Sequence, residues 1–303
     1  MTSNKKTTVL FTFVLAVFSL GASLGRAQDV PTAPEIGPLA ANLDSNATLG
    51  GAEANDGATA ADPAAQTTNA TTSKASSEDD QWHIAVSPYL WLPGMYGTIG
   101  FPNRNLKVHA SAGDVLSHFR FGLAGTVEVR RKWLVMPLDM LWVRLEDNHP
   151  LPLEAGVVTA NAKLGEFLLT PKIGVRFVDL ERIKVDFLTG FRYWHINTNL
   201  AFNPSALGLS FSQSLNWVDP LVGGRIQLPL SPKIVVNLAG DVGGWGTGSL
   251  IEYQLVGLLG YKIKPTWTLQ AGYRYLRVAY RSGLFLLNID DPGAAFGVTW
   301  QVK

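Results

Sequence analysis

From Trp82 onward the chain alternates apolar and polar residues, segment after segment, almost to its last residue. Successive side chains of a strand point to opposite faces, so each such segment has one apolar and one polar face. Repeated between alternately short and long connections, the pattern predicts an all-β fold. It is a closed antiparallel up-and-down transmembrane β-barrel, with one face on lipid and the other on a lumen. After Gln81 no stretch approaches the ~20 consecutive apolar residues of a membrane-spanning helix. The formal net charge of +1 argues against a nucleic-acid partner.

The front of the chain reads differently. Lys5 and Lys6 precede the apolar run Val9–Leu20, and Gly25-Arg26-Ala27 offers small residues before a cut. Residues 1–27 are therefore expected to be a signal peptide for Sec-type export, cleaved near Ala27. The alternative, an uncleaved anchor, would need a longer apolar run. Residues 28–80 are dominated by Ala, Thr, Asn, Ser, Gly and acidic side chains. Such a composition buries too little to offset its ordering entropy, and a disordered acidic linker is expected. The barrel then occupies residues 81–303. There is no cysteine, so stability has to come from the closed sheet rather than from disulfides.

Ten strands are expected: Trp82–Pro93, Phe119–Arg130, Trp133–Leu145, Ala162–Phe177, Ile183–His195, Phe211–Leu228, Ile234–Gly244, Ile251–Ile263, Trp267–Tyr280 and Ala294–Val302. Eight or twelve stay open, because strand boundaries read from sequence err by ~2–4 residues. Short turns fall at Arg131-Lys132, Asp179–Arg182, Leu230–Pro232 and Lys264-Pro265, and longer connections at 94–118, 146–160, 197–210, 245–250 and 281–293. Short and long alternate strictly, as between the periplasmic and outer ends of such barrels, and an even count puts both termini at the periplasmic end. Trp82, Trp133, Tyr261, Trp267 and Trp300 fall near the expected periplasmic ends, and Trp142, Trp217 and Trp245 near the outer ends. Two girdles of amphipathic rings are what the two membrane interfaces favour, whereas a soluble β-sandwich has no reason to sort them.

The inward parity carries both signs: Arg120, Glu128, Arg130, Asp139, Glu166, Lys172, Arg176, Asp186, Arg192, Asp219, Arg225, Asp241, Glu252 and Arg274. Buried charges have to pair. These residues are expected to form an interlocking network in a largely filled lumen, ten strands lying near the narrow end of barrel sizes.

The second half carries WVDPLVGGR (Trp217–Arg225), GDVGGWGTGS (Gly240–Ser249), YQLVGLLGY (Tyr253–Tyr261) and GYRYL (Gly272–Leu276), and PYLWLPGMYG (Pro88–Gly97) lies in the first strand. As a set these motifs, spread over residues 82–302, resemble a family of uncharacterised bacterial outer-membrane β-barrel proteins. The resemblance implies a barrel in the outer membrane and no assigned activity. Many such barrels end on an aromatic residue read by the assembly machinery. This chain ends Trp300-Gln301-Val302-Lys303, which leaves Trp300 two residues early for that role.

The glycines are expected to serve curvature and packing, and no helix follows them to make a phosphate cradle. A rim protease or lipid hydrolase would draw on His109, Asp114, His118, Glu146, Asp147, His149 and His195, where Asp147 and His149 share one loop. It would need a His–carboxylate dyad within hydrogen-bond reach. No cluster has metal-ligand spacing and no Ser lies at a strand-to-helix elbow, so neither a cofactor nor a metal is expected. The sequence reading is thus a non-enzymatic outer-membrane scaffold, with a narrow porin-like channel for small solutes as the alternative. The expected partners are membrane lipids and the assembly machinery.

Overall fold

The computed structural model describes residues 81–302 except 102–103, 154–155, 204–209 and 284. The signal peptide and linker expected over residues 1–80 lie outside the described residues. Twelve strands and one short helix follow in chain order: β1 (His83–Pro93), β2 (Met95–Phe101), β3 (Arg104–Ala110), α1 (Ala112–Ser117), β4 (Phe119–Arg131), β5 (Leu134–Leu153), β6 (Gly156–Asp179), β7 (Lys184–Asn203), β8 (Ser210–Pro229), β9 (Ile234–Gly243), β10 (Ser249–Lys264), β11 (Trp267–Ser282) and β12 (Phe285–Val302). Strands β1 and β4 to β12 pair antiparallel with their neighbours, and β1 closes on β12 from Ile84↔Val302 to Pro93↔Gly293. The result is a closed ten-stranded barrel, as the sequence predicts.

The outer surface carries a belt of exposed large apolar side chains, including Leu90, Leu123, Phe187, Leu238, Leu255, Leu259, Leu269 and Phe296. So large an exposed apolar belt is the mark of a lipid-facing wall. Trp133, Tyr261, Trp267 and Trp300 ring the short-turn end and are exposed there, with Trp82 beside them. The Trp267 and Trp300 rings stack at 5.9 Å. In outer-membrane barrels the short turns are periplasmic, and the two ends are named accordingly. At the other end Trp245 is exposed and Trp142 is half-buried against Phe121.

Four expectations need correction. First, three of the long connections are strand. The β5–β6 ladder runs on through Glu146↔Lys163 and Asn148↔Asn161 to Leu153↔Gly156. Residues 197–201 stay paired with both β6 and β8, the β6 pairing runs on to Asn203, and β11–β12 pairing runs to Ser282↔Phe285. The cause is a change of solvent along an unbroken strand. Within the membrane, β7 turns Phe187 and Phe191 outward and Asp186 and Arg192 inward. Beyond it, the same two faces carry exposed Asn199 outward and buried Ile196, Thr198 and Leu200 inward. The apolar-out signature stops at the lipid surface, while the ladder does not.

Second, the 94–118 connection holds a hairpin and a helix. The amide of Gly94 donates to the Pro292 carbonyl at 2.8 Å. Beyond it β2 resumes pairing with β12, from Asp290↔Tyr96 to Leu286↔Gly100, and β3 pairs with β2. α1 begins at a capping box in which Ser111 and Asp114 satisfy each other's backbone amides. Third, the β4–β5 register slips between Phe119 and Phe121. A bulge of this kind inverts parity, and the Phe119 ring leans over Gly122. Arg120 is 60% exposed at the outer rim instead of in the lumen. Fourth, Trp217 is no girdle residue: it is 6% exposed, inside the barrel.

Above the membrane, therefore, β5–β8 and β11–β12–β2–β3 carry a second tier of wall. Their inward residues pack into one apolar core that includes Ile99, Val108, Leu164, Leu200, Leu276, Phe285 and Ile289. The change of solvent predicts opposite responses on one strand face. Phe187→Arg, within the lipid-facing belt, should destabilise the barrel by up to ~2–4 kcal/mol. Asn199→Arg, on the same face above the lipid, should stay within ~0.5 kcal/mol. Urea unfolding in lipid vesicles, followed by tryptophan fluorescence, checks both.

Candidate functional site

The lumen is layered. The periplasmic half encloses a cavity of about 450 Å³, whose lining includes Tyr89, Thr126, Glu128, Lys172, Arg225 and Gln270. Lys184, Lys262 and Gln301, at strand ends beside the short turns, line its lower part.

Ion pairs occupy the middle layer. Asp186, on the inward parity of β7, sits between two guanidinium groups. Arg176 Nε donates to its Oδ1 at 2.7 Å, and Arg225 donates to its Oδ2 from Nη2 at 2.6 Å and from Nε at 2.9 Å. Arg225 also donates to Glu128 from β4. Asp241 accepts from Lys172 Nζ at 2.5 Å and from Arg192 Nη2 at 3.0 Å. Arg192 Nη1 lies 3.2 Å from Glu252, whose other oxygen accepts from Trp194 Nε1 at 2.7 Å. Arg274 donates to the Tyr89 hydroxyl at 2.6 Å and stands 3.4 Å from Asp139. Asp139 accepts from Thr126 Oγ1 at 2.8 Å, and the Arg274 guanidinium lies 4.7 Å over the Trp91 ring. Glu166 and Asp291 share this space, both in the field of Arg274.

The top of the layer is aromatic. Trp194 stacks on Trp217 at 5.2 Å, and Trp217 on Tyr280 at 4.2 Å. Asp219, fully buried, accepts from Trp217 Nε1 at 2.9 Å, from the Ser249 amide at 2.5 Å and from Ser249 Oγ at 2.6 Å. This clip accounts for two of the sequence motifs at once. The turn between β9 and β10 uses positive φ at Gly244 (89°), Trp245 (45°) and Gly246 (81°) to bring Ser249 onto Asp219. A Cβ on Gly248 would meet Asp219 Oδ1 at 2.6 Å. The glycines thus serve a close backbone approach.

Of the charged residues expected to meet in the lumen, the structure brings Glu128, Asp139, Lys172, Arg176, Asp186, Arg192, Arg225, Asp241, Glu252 and Arg274 into these contacts. Asp219 binds a serine and a tryptophan instead of an arginine, and Arg120 pairs with Glu146 outside. Ser249, Tyr280 and Asp291 were not legible as interior residues, since each lies in or beside a stretch that reads as a loop. Tyr89 and Trp194 stand on the inward parity of β1 and β7.

The rim residues are scattered. His118 Nε2 lies 3.7 Å from Asp147, beyond the ~3.2 Å reach of a catalytic hydrogen bond. His118 Nδ1 meets the Asp114 carbonyl at 2.7 Å, and Asp114 caps α1. His109 packs edge-on against Tyr96, and His195 meets Asn216 on the outer face. The His149 side chain lies outside the described residues. Among the described residues no group of three His, Cys, Asp or Glu could hold a metal ion. Glu146 lies above the girdle, four residues beyond Trp142. The Asn161 amide that donates to it at 2.9 Å holds its carboxyl below the usual range, helped by Lys163 and Arg120.

A closed ten-stranded barrel with an apolar outer belt and a charged interior defines the class: an outer-membrane β-barrel fold. No family model matches the chain, and no curated protein does. Among solved structures it is similar to the outer-membrane protease OmpT of Escherichia coli, at 9% identity over 74% of this chain and 97% of that one, with a TM-score of 0.50. The translocator domain of the autotransporter NalP from Neisseria meningitidis matches at 14% identity, 72% and 88% coverage and a TM-score of 0.36. Ail, the attachment invasion locus protein of Yersinia pestis, matches at 10% identity, 74% and 99% coverage and a TM-score of 0.31. At such identities the likeness to OmpT is one of fold.

Asp186→Ala leaves Arg176 and Arg225 without their shared carboxylate and should cost about 3–5 kcal/mol. Arg120→Ala, which breaks an exposed pair, should cost under ~1 kcal/mol. Unfolding midpoints in vesicles compare the two. Because the Glu146 pKa is depressed, its contribution is present above the ordinary carboxylate pKa and is lost as pH falls through the folded value. Asn161→Ala should raise the Glu146 pKa toward the ordinary one, as read by carboxyl NMR titration.

Proposed function

We propose that this chain is a non-enzymatic, non-conducting barrel of the bacterial outer membrane, acting as a structural or interaction scaffold through the tier of wall above the lipid. The observation that carries the reading is the outer half of the lumen. There the Trp194–Trp217–Tyr280 stack and the apolar core above it fill the interior. A solute path would have to cross buried Leu, Ile and Phe side chains that offer no hydrogen bonds in exchange for its hydration. Most of the charges below are paired with one another, which favours rigidity over selectivity. Lipids contact the apolar belt, and the assembly machinery inserts the chain, with Trp300 as the aromatic residue nearest the C-terminus.

Single-channel recording in a planar bilayer tests this. The refolded mature chain should give no discrete steps at ~1 M salt, while its unboiled gel migration shows a folded barrel. Reproducible salt-dependent steps would replace the scaffold with the channel, and Arg192, Asp241 and Arg225 would then be examined for ion selectivity.

A further inference from the structure

Just above the outer girdle, β4, β5 and β6 gather positive charge on their outward face. Trp142 of β5 packs edge-on against Phe121 of β4 at 5.0 Å, and Phe167 of β6 lies opposite Trp142 across the ladder. One step beyond these rings, Arg144 is exposed and carries its guanidinium 4.9 Å over the Trp142 ring. A planar cation stacked on an indole is held in place while the donors at its edge stay open. Arg120 of β4 adjoins Phe121, which is opposite Arg144. Lys163 of β6 is two residues from Gly165, which is opposite Arg144 on the other side. Diagonal neighbours across a ladder are about 7–8 Å apart, within reach of long side chains. The three cations therefore converge on one patch.

One carboxylate stands among them. Glu146 lies 3.5 Å from Arg120 Nε and 3.8 Å from Lys163 Nζ. Both separations exceed the ~2.7–2.9 Å of a charge-assisted hydrogen bond, and Glu146 accepts instead from the Asn161 amide at 2.9 Å. Among the described residues Arg144 has no ion pair, its contact being the Trp142 ring. The side chains of Arg120 and Lys163 are 60% and 56% exposed. The patch thus carries an excess of positive charge with donors left over. Other strands differ at their outer ends. Arg277 of β11, two residues beyond Tyr275, donates to Asp290 at 3.1 Å, and the Tyr275 hydroxyl donates to the same carboxylate at 2.5 Å. There the charge is closed within the protein. On β7 and β8 the uncharged amide of Asn216 meets His195.

The position of the patch defines its partner. Amphipathic rings mark the lipid interface, so a molecule held here has apolar groups against Phe121 and Leu123, both exposed, and polar groups among the cations. Phosphate matches the guanidinium fork in shape and the excess cations in charge. A free anion would gain nothing from the rings. We propose that Arg120, Arg144 and Lys163 bind the phosphate of a lipid headgroup in the outer leaflet, whose acyl chains lie along Phe121 and Leu123. The site rests on the outer-membrane placement of the scaffold reading and holds whether or not the lumen conducts. It is ionic and bordered by water, so it weakens with salt.

The refolded mature chain in detergent, titrated with lipid A and followed by native mass spectrometry, tests this. Lipid A, a phosphorylated and acylated disaccharide, should be retained. The wild-type chain should bind its fully dephosphorylated form about tenfold more weakly or worse, since the charge-assisted hydrogen bonds are lost. Arg144→Gln/Lys163→Gln should lose affinity for lipid A to a similar degree, while Arg277→Gln should bind as the wild type does. Inorganic phosphate alone should not displace the lipid. Gel migration of unboiled samples shows that each variant is folded, and the comparison of the two lipids needs no variant. Equal binding of both lipids would overturn the proposal, as would unchanged affinity in the double variant. Displacement by inorganic phosphate would also overturn it, by assigning the patch to a free anion.

Discussion

Everything in this structure depends on the pairing of β1 with β12. Backbone amides and carbonyls have no water to bond in the hydrocarbon core, so a sheet that crosses a membrane has to close. Closure fixes the parity of every strand, because each residue is opposite a partner on both sides and a one-residue slip would exchange lipid face and lumen face throughout. The one clear slip in β4, at Arg120, lies at the outer rim, where both faces meet water or polar surface. There a bulge has little consequence for the lipid-facing wall.

Given fixed parity, the composition of each face follows from what it touches at each height. The outer face is apolar against lipid and polar above it. The inner face runs the other way: polar and charged within the membrane, apolar above. β7 shows both reversals in one strand, from Phe187 and Asp186 to Asn199 and Leu200. The barrel is thus a membrane protein below and resembles a water-soluble β-structure above, built from the same strands. The two regimes meet at the Trp194–Trp217–Tyr280 stack, whose rings present apolar faces to the core while the indole N–H groups of both tryptophans reach carboxylates beneath.

The ion pairs below that stack act as one body. Asp186 joins β6, β7 and β8 through Arg176 and Arg225, and Arg225 reaches across to Glu128 on β4. Asp241, Arg192 and Glu252 join β7, β9 and β10. Buried pairs of this kind contribute little net stability over an apolar filling, but removing one member is costly. Their consequence is a fixed cross-section: the strands on opposite sides of the lumen are held at one distance, which keeps the cavity below from collapsing and the stack above in register.

The sequence by itself determined the class of fold, the ten barrel strands, which end carries the short turns, and most of the interior charges. It could do so because lipid imposes a period-two signal that only a spanning strand gives. Where lipid ended, so did legibility. Residues 146–153, 197–203 and 285–293 read as loops because their outward positions are polar, and the β2–β3 hairpin was hidden for the same reason. Trp217 shows the limit most sharply. Its place near a strand end matched the girdle, yet its parity puts it inside. Asp219 likewise read as one more ion-pair member, although its partners are the amide and hydroxyl of Ser249, thirty residues away. Which charges meet which, and that the upper lumen is filled and the lower one is not, were decided only by the tertiary structure. The physical reason is that alternation specifies a face, while closure around the barrel specifies who stands across from it.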